Sequence, residues 1–463
     1  MKETRISLLR FIEEVRKPPK TQSIEERIRH FASIYARFKK SEAKVQSERC
    51  IDCGNPYCHW GCPVHNHIPQ WLQLVAEGNF FAAAELAHQT NSLPEMCGMV
   101  CPQESLCEGA CTLNDGLGAV TIGAIEHYLT DTAFRRGWKP DLSAVQALPF
   151  QVAVVGSGPA GIACADRLTR LGIHCNVYDR HPEIGGLLTF GIPEFKLEKQ
   201  LVRRRRSILE GMGIQFHTGI EIGRDITAVE LLEAHDALFL GLGADEGIRA
   251  RVPGEHLKGV FAALPFLIGQ IHNLLGLSST PELNFQGKKI IVLGAGDTAM
   301  DCTRTAIRLG ASSVHCLYRR REEDLHNSQK DYNHAREEGV QFHWQRLATE
   351  FCGTETLEAI RVHKTDFDKH GKLIITEKQE IIEADVVIVA YGFNAAKFPW
   401  LESINVERNP KGLIQTGVNL PMQTSNPDVF AGGDIVLGAN LVVNAVAQGQ
   451  QAAQSIYAYL QNK

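Results

Sequence analysis

One local pattern occurs twice in this chain, and it decides the class of fold. The apolar run Gln151-Val-Ala-Val-Val155 leads into Gly156-Ser-Gly158-Pro159-Ala160-Gly161, then into a helical pattern. The same order returns at Lys289-Ile-Ile-Val-Leu293, followed by Gly294-Ala-Gly296-Asp297-Thr298-Ala299. A short apolar run closed by a glycine turn reads as a buried strand. In such a loop the first glycine makes the tight turn. The second lets the backbone approach a pyrophosphate, and the third brings helix against strand; alanine is an allowed variant there. The helix N-terminus then offers free N–H groups and a positive dipole end to phosphate. With a third apolar strand at Asp385 to Ala390 and a C-terminal helix from Leu441 to Leu460, the alternation predicts parallel α/β sheets. At 463 residues the chain exceeds one ordinary core, so two or three domains are expected.

The two loops differ at the end of the next strand. Asp179 stands 18 residues after Gly161, where an acid meets ribose hydroxyls, and Arg180 follows it. Arg319 and Arg320 stand at the comparable point of the second unit. An acid repels a 2′-phosphate, whereas a guanidinium binds one through charge-assisted hydrogen bonds. NADPH is therefore expected at the second loop and a cofactor lacking that phosphate at the first. Two further glycine segments suit a flat cofactor. Gly185-Gly186-Leu187 lets backbone pass close to a ring, and Gly433-Asp434 ends an apolar strand with an acid suited to ribityl hydroxyls.

Eight of the 13 cysteines lie between Cys50 and Cys111, in two sets. The first is Cys50-x2-Cys53-x4-Cys58-x3-Cys62-Pro63, and the second is Cys97-x3-Cys101-Pro102-x4-Cys107-x3-Cys111. Clustered cysteines without a secretory context point to metal or catalysis. Short spacings and a proline directly after a cysteine resemble ferredoxin ligation, and eight thiolates suffice for two [4Fe-4S] clusters. Zinc fits less well, because structural zinc favours paired C-x2-C or Cys/His sets. Spacing does not settle which cysteine serves which cluster; by ferredoxin logic, Cys50, Cys53 and Cys58 share one, with Cys97 the plain candidate for its fourth ligand. Cys62 then joins Cys101, Cys107 and Cys111. His65 and His67 read as packing beside a cluster.

The remaining features bound the answer. Net charge is -5, which argues against nucleic acid as a partner. The run Arg203 to Arg206 lacks interleaved aromatics and reads as a solvated or partner-facing helix surface. No apolar run reaches the roughly 18–20 residues of a membrane span, and no signal-peptide core is present, so a cytoplasmic protein with no membrane partner is expected. Residues 1–45 read as helical, Ile68 to Gln89 as a helix, Gly116 to Trp138 as another, and Lys139 to Phe150 as a linker.

Taken in order, these motifs resemble the glutamate synthase small-subunit family. The resemblance runs over nearly the whole chain, through Pro63-Val-His-Asn-His-Ile-Pro69, Cys107-Glu-Gly-Ala-Cys111, Tyr178 to Gly186, Gly296-Asp-Thr-Ala-Met-Asp301 and Ala431-Gly-Gly-Asp434. It implies an α-helical iron–sulfur domain at 1–145, then two Rossmann-like domains of the disulfide-reductase-like flavoprotein type. The FAD domain would take 146–285 and 391–463, with the NADPH domain, 286–390, inserted in it. It implies hydride transfer from NADPH to FAD, then single electrons through the clusters to a glutamate synthase large subunit that makes glutamate from 2-oxoglutarate and glutamine. The similar dihydropyrimidine dehydrogenase uses a side-chain amide as one cluster ligand, and that position matches Glu126, a rival to Cys97. Relatives carry Met-Pro-Gly-Ser after the arginine strand, whereas this chain has Leu325-His326-Asn327-Ser328. A reductase arm for another acceptor, a ferredoxin or a pyrimidine-reducing subunit, is the enzymatic alternative. A thiol–disulfide reductase lacks support, since none of the five scattered cysteines forms a pair. A cofactor-binding redox sensor without turnover is set apart by whether NADPH rapidly reduces an artificial acceptor.

Overall fold

The computed structural model describes residues 9–277, 283–325 and 328–463. Both predicted α/β units are present as five-stranded parallel sheets. The first runs Val429–Ala431, Ala237–Leu240, Gln151–Val155, His174–Asp179, Gln215–Thr218. The second runs Val260–Ala262, Val386–Val389, Lys289–Leu293, Ser313–Tyr318, Gln341–Trp344. In each, the strand before the glycine loop is central and apolar, with only its first residue exposed. The glycine loops thus sit where the chain reverses between neighbours, at the carboxyl ends of the strands.

The second unit is inserted in the first. The chain leaves the first sheet after Ala237–Leu240 and returns to it at Val429–Ala431. The outgoing Glu246–Gly247 and returning Phe393–Asn394 pair as a two-stranded ribbon. The second sheet takes Val260–Ala262, upstream of the expected limit at 286, because Phe266, Leu267 and Phe285 pack into its core. A three-stranded antiparallel sheet, Arg346–Gly353, Leu357–Phe367 and Leu373–Glu383, is appended to it.

The cysteine region is helical, around buried Trp71 and Ile125. The expected helix from Ile68 is two, Ile68–Glu77 and Phe80–Thr90, because Gly78 takes a left-handed φ of 83° and Asn79 caps the second. The helix expected over Gly116 to Trp138 is Ile122–Arg135. Residues 1–45 are far less helical than their charge pattern suggests. The described part has only Arg10–Glu13, Ile24–Arg27 and the start of Lys40–Ser47, with Pro18 and Pro19 between the first two and an extended bridge from Thr21 to Tyr35.

The arginine run is solvated only at Arg203, which is exposed; Arg204 and Arg206 are half-buried and Arg205 is buried. It lies on Lys199–Gly211 and clamps the first sheet's unit to the cysteine region. Arg205, 1% exposed, pairs with fully buried Glu95, while Arg204 pairs with Asp131 and stacks on Phe134. Arg206 is half-buried, on Glu183 and Glu210. Among the described residues no helix is long and apolar enough to cross a membrane.

Candidate functional site

The first glycine loop opens on a cavity of about 450 Å³. Four segments far apart in sequence line it: Gly156, Gly158, Pro159 and Ala160; Asp179 and Arg180; Gly186 and Leu187; Gly433 and Asp434. Backbone geometry explains the glycines. Gly156 has φ 96°, and a Cβ there would lie 2.3 Å from the Gly241 carbonyl. A Cβ on Gly158 would meet nothing within 4 Å, so this glycine leaves open space on the loop's outer side. A Cβ on Gly161 would lie 1.8 Å from the Gly156 carbonyl, so Gly161 closes the helix onto the turn rather than facing the cavity. Gly185 is also behind the wall, its N–H donating to the Ser157 carbonyl at 2.9 Å.

The acids of this cavity are unlike each other. Asp179, 7% exposed, accepts from the Ser157 N–H at 2.7 Å, the Ser157 hydroxyl at 2.6 Å and the His181 N–H at 2.8 Å. It ties strand end to loop. Arg180 pairs with Asp245 across the cavity's edge. Asp434 opens the one-turn helix Asp434–Leu437, and burial pushes its carboxyl up to about 7 against a backbone hydrogen bond from Asn440. Sequence motifs missed the opposite wall, which comes from Ile220–Arg224 and Ala396–Trp400. They also missed Lys199. Its buried Nζ donates to the Leu188 and Ile192 carbonyls, at 2.8 and 2.5 Å, and so braces the cavity-lining turn from behind. Burial lowers that ammonium to about 7. In the sequence its basic neighbours, Lys196 and Arg203 to Arg206, make it look like one more surface charge.

The second loop repeats the first. Gly294 has φ 112°, a Cβ on it would lie 2.3 Å from the Ala390 carbonyl, and a Cβ on Gly296 would meet nothing within 4 Å. Ala299, in the third place, is fully buried. Asp297 begins the helix and accepts from the Ser328 N–H at 2.9 Å, and Thr298 follows it. Arg319 is exposed and Arg320 half-buried, and neither forms an ion pair among the described residues. Arg321, by contrast, is held by Glu323 and stacked on Phe367. His326 and Asn327 of the departing segment lie outside the described residues. Ser328 itself is gripped by the cysteine region: its hydroxyl and the Gln329 N–H both donate to Glu104, at 2.9 and 2.8 Å.

The eight cysteines form two groups, but not the expected ones. Cys50, Cys53, Cys58 and Cys111 surround one small pocket. Cys62, Cys97, Cys101 and Cys107 neighbour one another, with Glu126 among them. Cys111 and Cys97 have therefore exchanged places relative to ferredoxin logic. Helix packing is the reason. Cys97 rides on Pro94–Val100, which lies so close to Ile122–Arg135 that a Cβ on Gly98 would sit 2.5 Å from the Gly123 carbonyl. Glu126 is on that second helix, and accepts from Asn66 and Asn91, both at 3.1 Å. Burial drives three of these thiols up, to about 11 at Cys50 and about 12 at Cys58 and Cys62, with neighbouring thiols adding to the effect. Burial also raises Glu126, to about 8. Such a donor set ionises readily only against a strongly cationic body, as iron–sulfur ligation provides. Among the described residues no three such groups converge as closely as a single metal ion requires. His65 is exposed and His67 stacks on His59 at 5.8 Å, a packing role.

Residues 27–138 match the family described as dihydropyrimidine dehydrogenase domain II, 4Fe-4S cluster, and 150–449 match the pyridine nucleotide-disulphide oxidoreductases. The chain is 49% identical to the glutamate synthase [NADPH] small chain of Escherichia coli, over 98% of each. It is equally 49% identical to that of Halomonas elongata, over 97% of this chain and 98% of the other. The chain belongs to the glutamate synthase small-chain family. It is an NADPH-dependent flavoprotein oxidoreductase with a 4Fe-4S domain in front. A third relative, the putative oxidoreductase AegA of Escherichia coli, is also 49% identical, over 96% of this chain and 69% of its own length. Among solved structures, Mycobacterium tuberculosis FprA in complex with NADPH superimposes with a TM-score of 0.57 at 18% identity, over 68% of this chain and 85% of that one. Thioredoxin reductase of T. acidophilum gives 0.51 at 19%, over 67% and 98%. These two share the fold.

Proposed function

We propose that this protein is the electron-input subunit of a glutamate synthase, oxidising NADPH and delivering electrons to a large subunit that makes glutamate from 2-oxoglutarate and glutamine. The observation that carries this reading is the cavity in which Gly156–Ala160, Asp179, Gly186–Leu187 and Gly433–Asp434 meet, together with a second glycine loop whose following strand ends in Arg319 and Arg320, neither of them ion-paired among the described residues. FAD, when bound, supplies acceptance of a hydride from NADPH and its release as single electrons, which two [4Fe-4S] clusters relay.

The chain's own residues bind and orient. Gly156, Gly158 and the N-terminus of Pro159–Arg170 hold the pyrophosphate of FAD, with Gly161 and Gly185 fixing the loop's shape. Asp179 and Arg180 flank the ribose end, and Asp434 the ribityl end. Gly294, Gly296 and the helix opened by Asp297, Thr298 and Ala299 hold the pyrophosphate of NADPH, and Arg319 with Arg320 takes its 2′-phosphate. Cys50, Cys53, Cys58 and Cys111 hold one cluster. Cys62, Cys101 and Cys107 hold the other, completed by Cys97 or Glu126. We place the NADPH domain between the ribbon strands Glu246–Gly247 and Phe393–Asn394, the FAD domain on either side of it, and the iron–sulfur domain before residue 146, in a cytoplasmic enzyme.

Anaerobic purification from the native source tests this. About eight irons and one FAD per chain, with a co-purifying large subunit, are expected. Two irons or fewer, or bound zinc, would sink the two-cluster proposal. A second reading rests on the putative oxidoreductases AegA and UacF, at 49% and 47% identity. It makes the chain a reductase arm for a different acceptor, such as a ferredoxin or a pyrimidine-reducing subunit. The identity of the co-purifying polypeptide decides between the two.

A further inference from the structure

A buried ionic cluster lies where three regions of the molecule meet, outside both glycine loops. Lys196, 7% exposed, ends the segment Gly191-Ile-Pro-Glu-Phe-Lys196 that follows the cavity-lining turn. Its Nζ lies 3.2 Å from Asp301 and 2.7 Å from Asp331. Asp301 is on Asp297–Arg308, the helix that starts at the second glycine loop, and Asp331 is on Gln329–Glu337 beside it. Burial pulls the Lys196 ammonium down, but Asp301 and Asp331 overrule it and leave it raised and charged. Behind this contact, Arg304 and Arg308 share Glu338, and Arg27 from the N-terminal segment joins them through Glu337 and Glu338. Phe195, next to Lys196, lies under both arginines, 4.6 and 4.0 Å from the guanidinium carbons.

Charges this deep are costly to desolvate, and such pairs are weak sources of stability. What the arrangement supplies is register. Domains joined by a thin ribbon move relative to each other by default. A lysine held by carboxylates on two helices is fixed in two directions at once. Hydride transfer needs the reacting atoms about 3–3.5 Å apart, and a misplacement of about 1 Å can cost a hundredfold.

We propose that Lys196 is a positioning residue for flavin reduction: it pins the helix of the nicotinamide-nucleotide loop to the turn lining the flavin cavity and so sets how the two cofactors face each other. This rests on the assignment of FAD and NADPH to the two loops given above.

The test uses the holoenzyme with Lys196→Met and Lys196→Arg. For Lys196→Met we expect full FAD content and a Kd for NADP+ by calorimetry within about twofold of wild type, but a limiting rate of flavin bleaching at saturating NADPH lower on the order of a hundredfold. Hydrogen–deuterium exchange should rise at 193–199 and 297–308 and stay unchanged at 159–170. Lys196→Arg should recover most of the rate. A folded, flavin-replete Lys196→Met reduced at the wild-type limiting rate overturns the proposal, as does a loss confined to NADP+ affinity. Should Lys196→Met fail to fold, the triple replacement Lys196→Met, Asp301→Asn, Asp331→Asn removes the three charges together. A wild-type limiting rate there overturns the proposal, and a slow one supports it. If wild-type enzyme is not reduced by NADPH at all, the functional reading fails instead, and the exchange measurement still reports whether Lys196 holds the two regions in register.

Discussion

The two glycine loops are near-copies in backbone and opposites in chemistry. Their first glycines have φ of 96° and 112°, and each would drive a Cβ to 2.3 Å from a carbonyl at the end of the neighbouring strand. Their second glycines leave the same open space. They part at the third position, Gly161 against Ala299, and at the following strand end. There Asp179 is buried and turned inward onto its own loop, whereas Arg319 is exposed and free of ion pairs among the described residues. Repetition of a backbone solution thus fixes where a dinucleotide can sit. We propose that the side chain that follows decides which one.

The third position should show the largest effect. In Gly161→Ala the new methyl would sit 1.8 Å from the carbonyl of Gly156, a residue whose N–H donates to the Tyr178 carbonyl at 2.8 Å. The helix must shift, at a cost on the order of 3 kcal/mol, and with it the cavity wall. Purified Gly161→Ala should contain little flavin and unfold at a lower urea midpoint. Ala299→Gly at the matching place should cost only about 1 kcal/mol, the helix penalty of glycine. Equal losses in the two variants would mean that the loops are packed alike and that alanine marks no difference between them.

Much of this contrast is legible in residues alone, and the reason is local. Strand, glycine turn, helix and strand-end side chain lie within about 30 residues, so spacing reports geometry directly. Pairings that depend on how helices cross were not legible. Cys111, and Cys97 as the candidate fourth ligand, sit in the opposite groups from those that the analogy to ferredoxins suggests, because the approach of Pro94–Val100 to Ile122–Arg135 is a tertiary fact. Arg205 looked solvated for the same reason: nothing near it in sequence announces buried Glu95. The cavity wall at Ala396–Trp400 carries no motif, being defined only by its closure over Gly223.

The strand-end contrast should show next. Arg319→Ala removes a charge-assisted contact worth about 1.5–3 kcal/mol, so Kd for NADPH should rise roughly 10- to 100-fold. Binding of NADH, which lacks the 2′-phosphate, should change little. Titrating each nucleotide against the oxidised enzyme checks this. Parallel weakening of both nucleotides would remove Arg319 from phosphate recognition and leave Arg320 to account for any preference.

The smallest effect concerns Asp434, the second acid of the cavity at the first glycine loop, which differs from Asp179 in having few donors. Burial raises Asp434 to about 7, whereas an unfolded aspartate titrates near 3.9. Between those values the native state holds a proton that the unfolded state has lost, so stability is full below about pH 3.9 and declines as pH rises toward 7. Above 7 the penalty stays constant. An asparagine at this position carries no titrating proton, so in flavin-stripped Asp434→Asn that decline should vanish. The side chain is only partly covered and solvent screens part of its charge, which sets the expected difference from wild type at about 1 kcal/mol between pH 5 and pH 8. Urea midpoints at the two pH values measure it. Parallel profiles for wild type and variant would mean that Asp434 is solvated as an ordinary carboxylate. It would then stand ionised before any cofactor enters, as a hydrogen-bond acceptor toward ribityl hydroxyls rather than a proton-bearing donor.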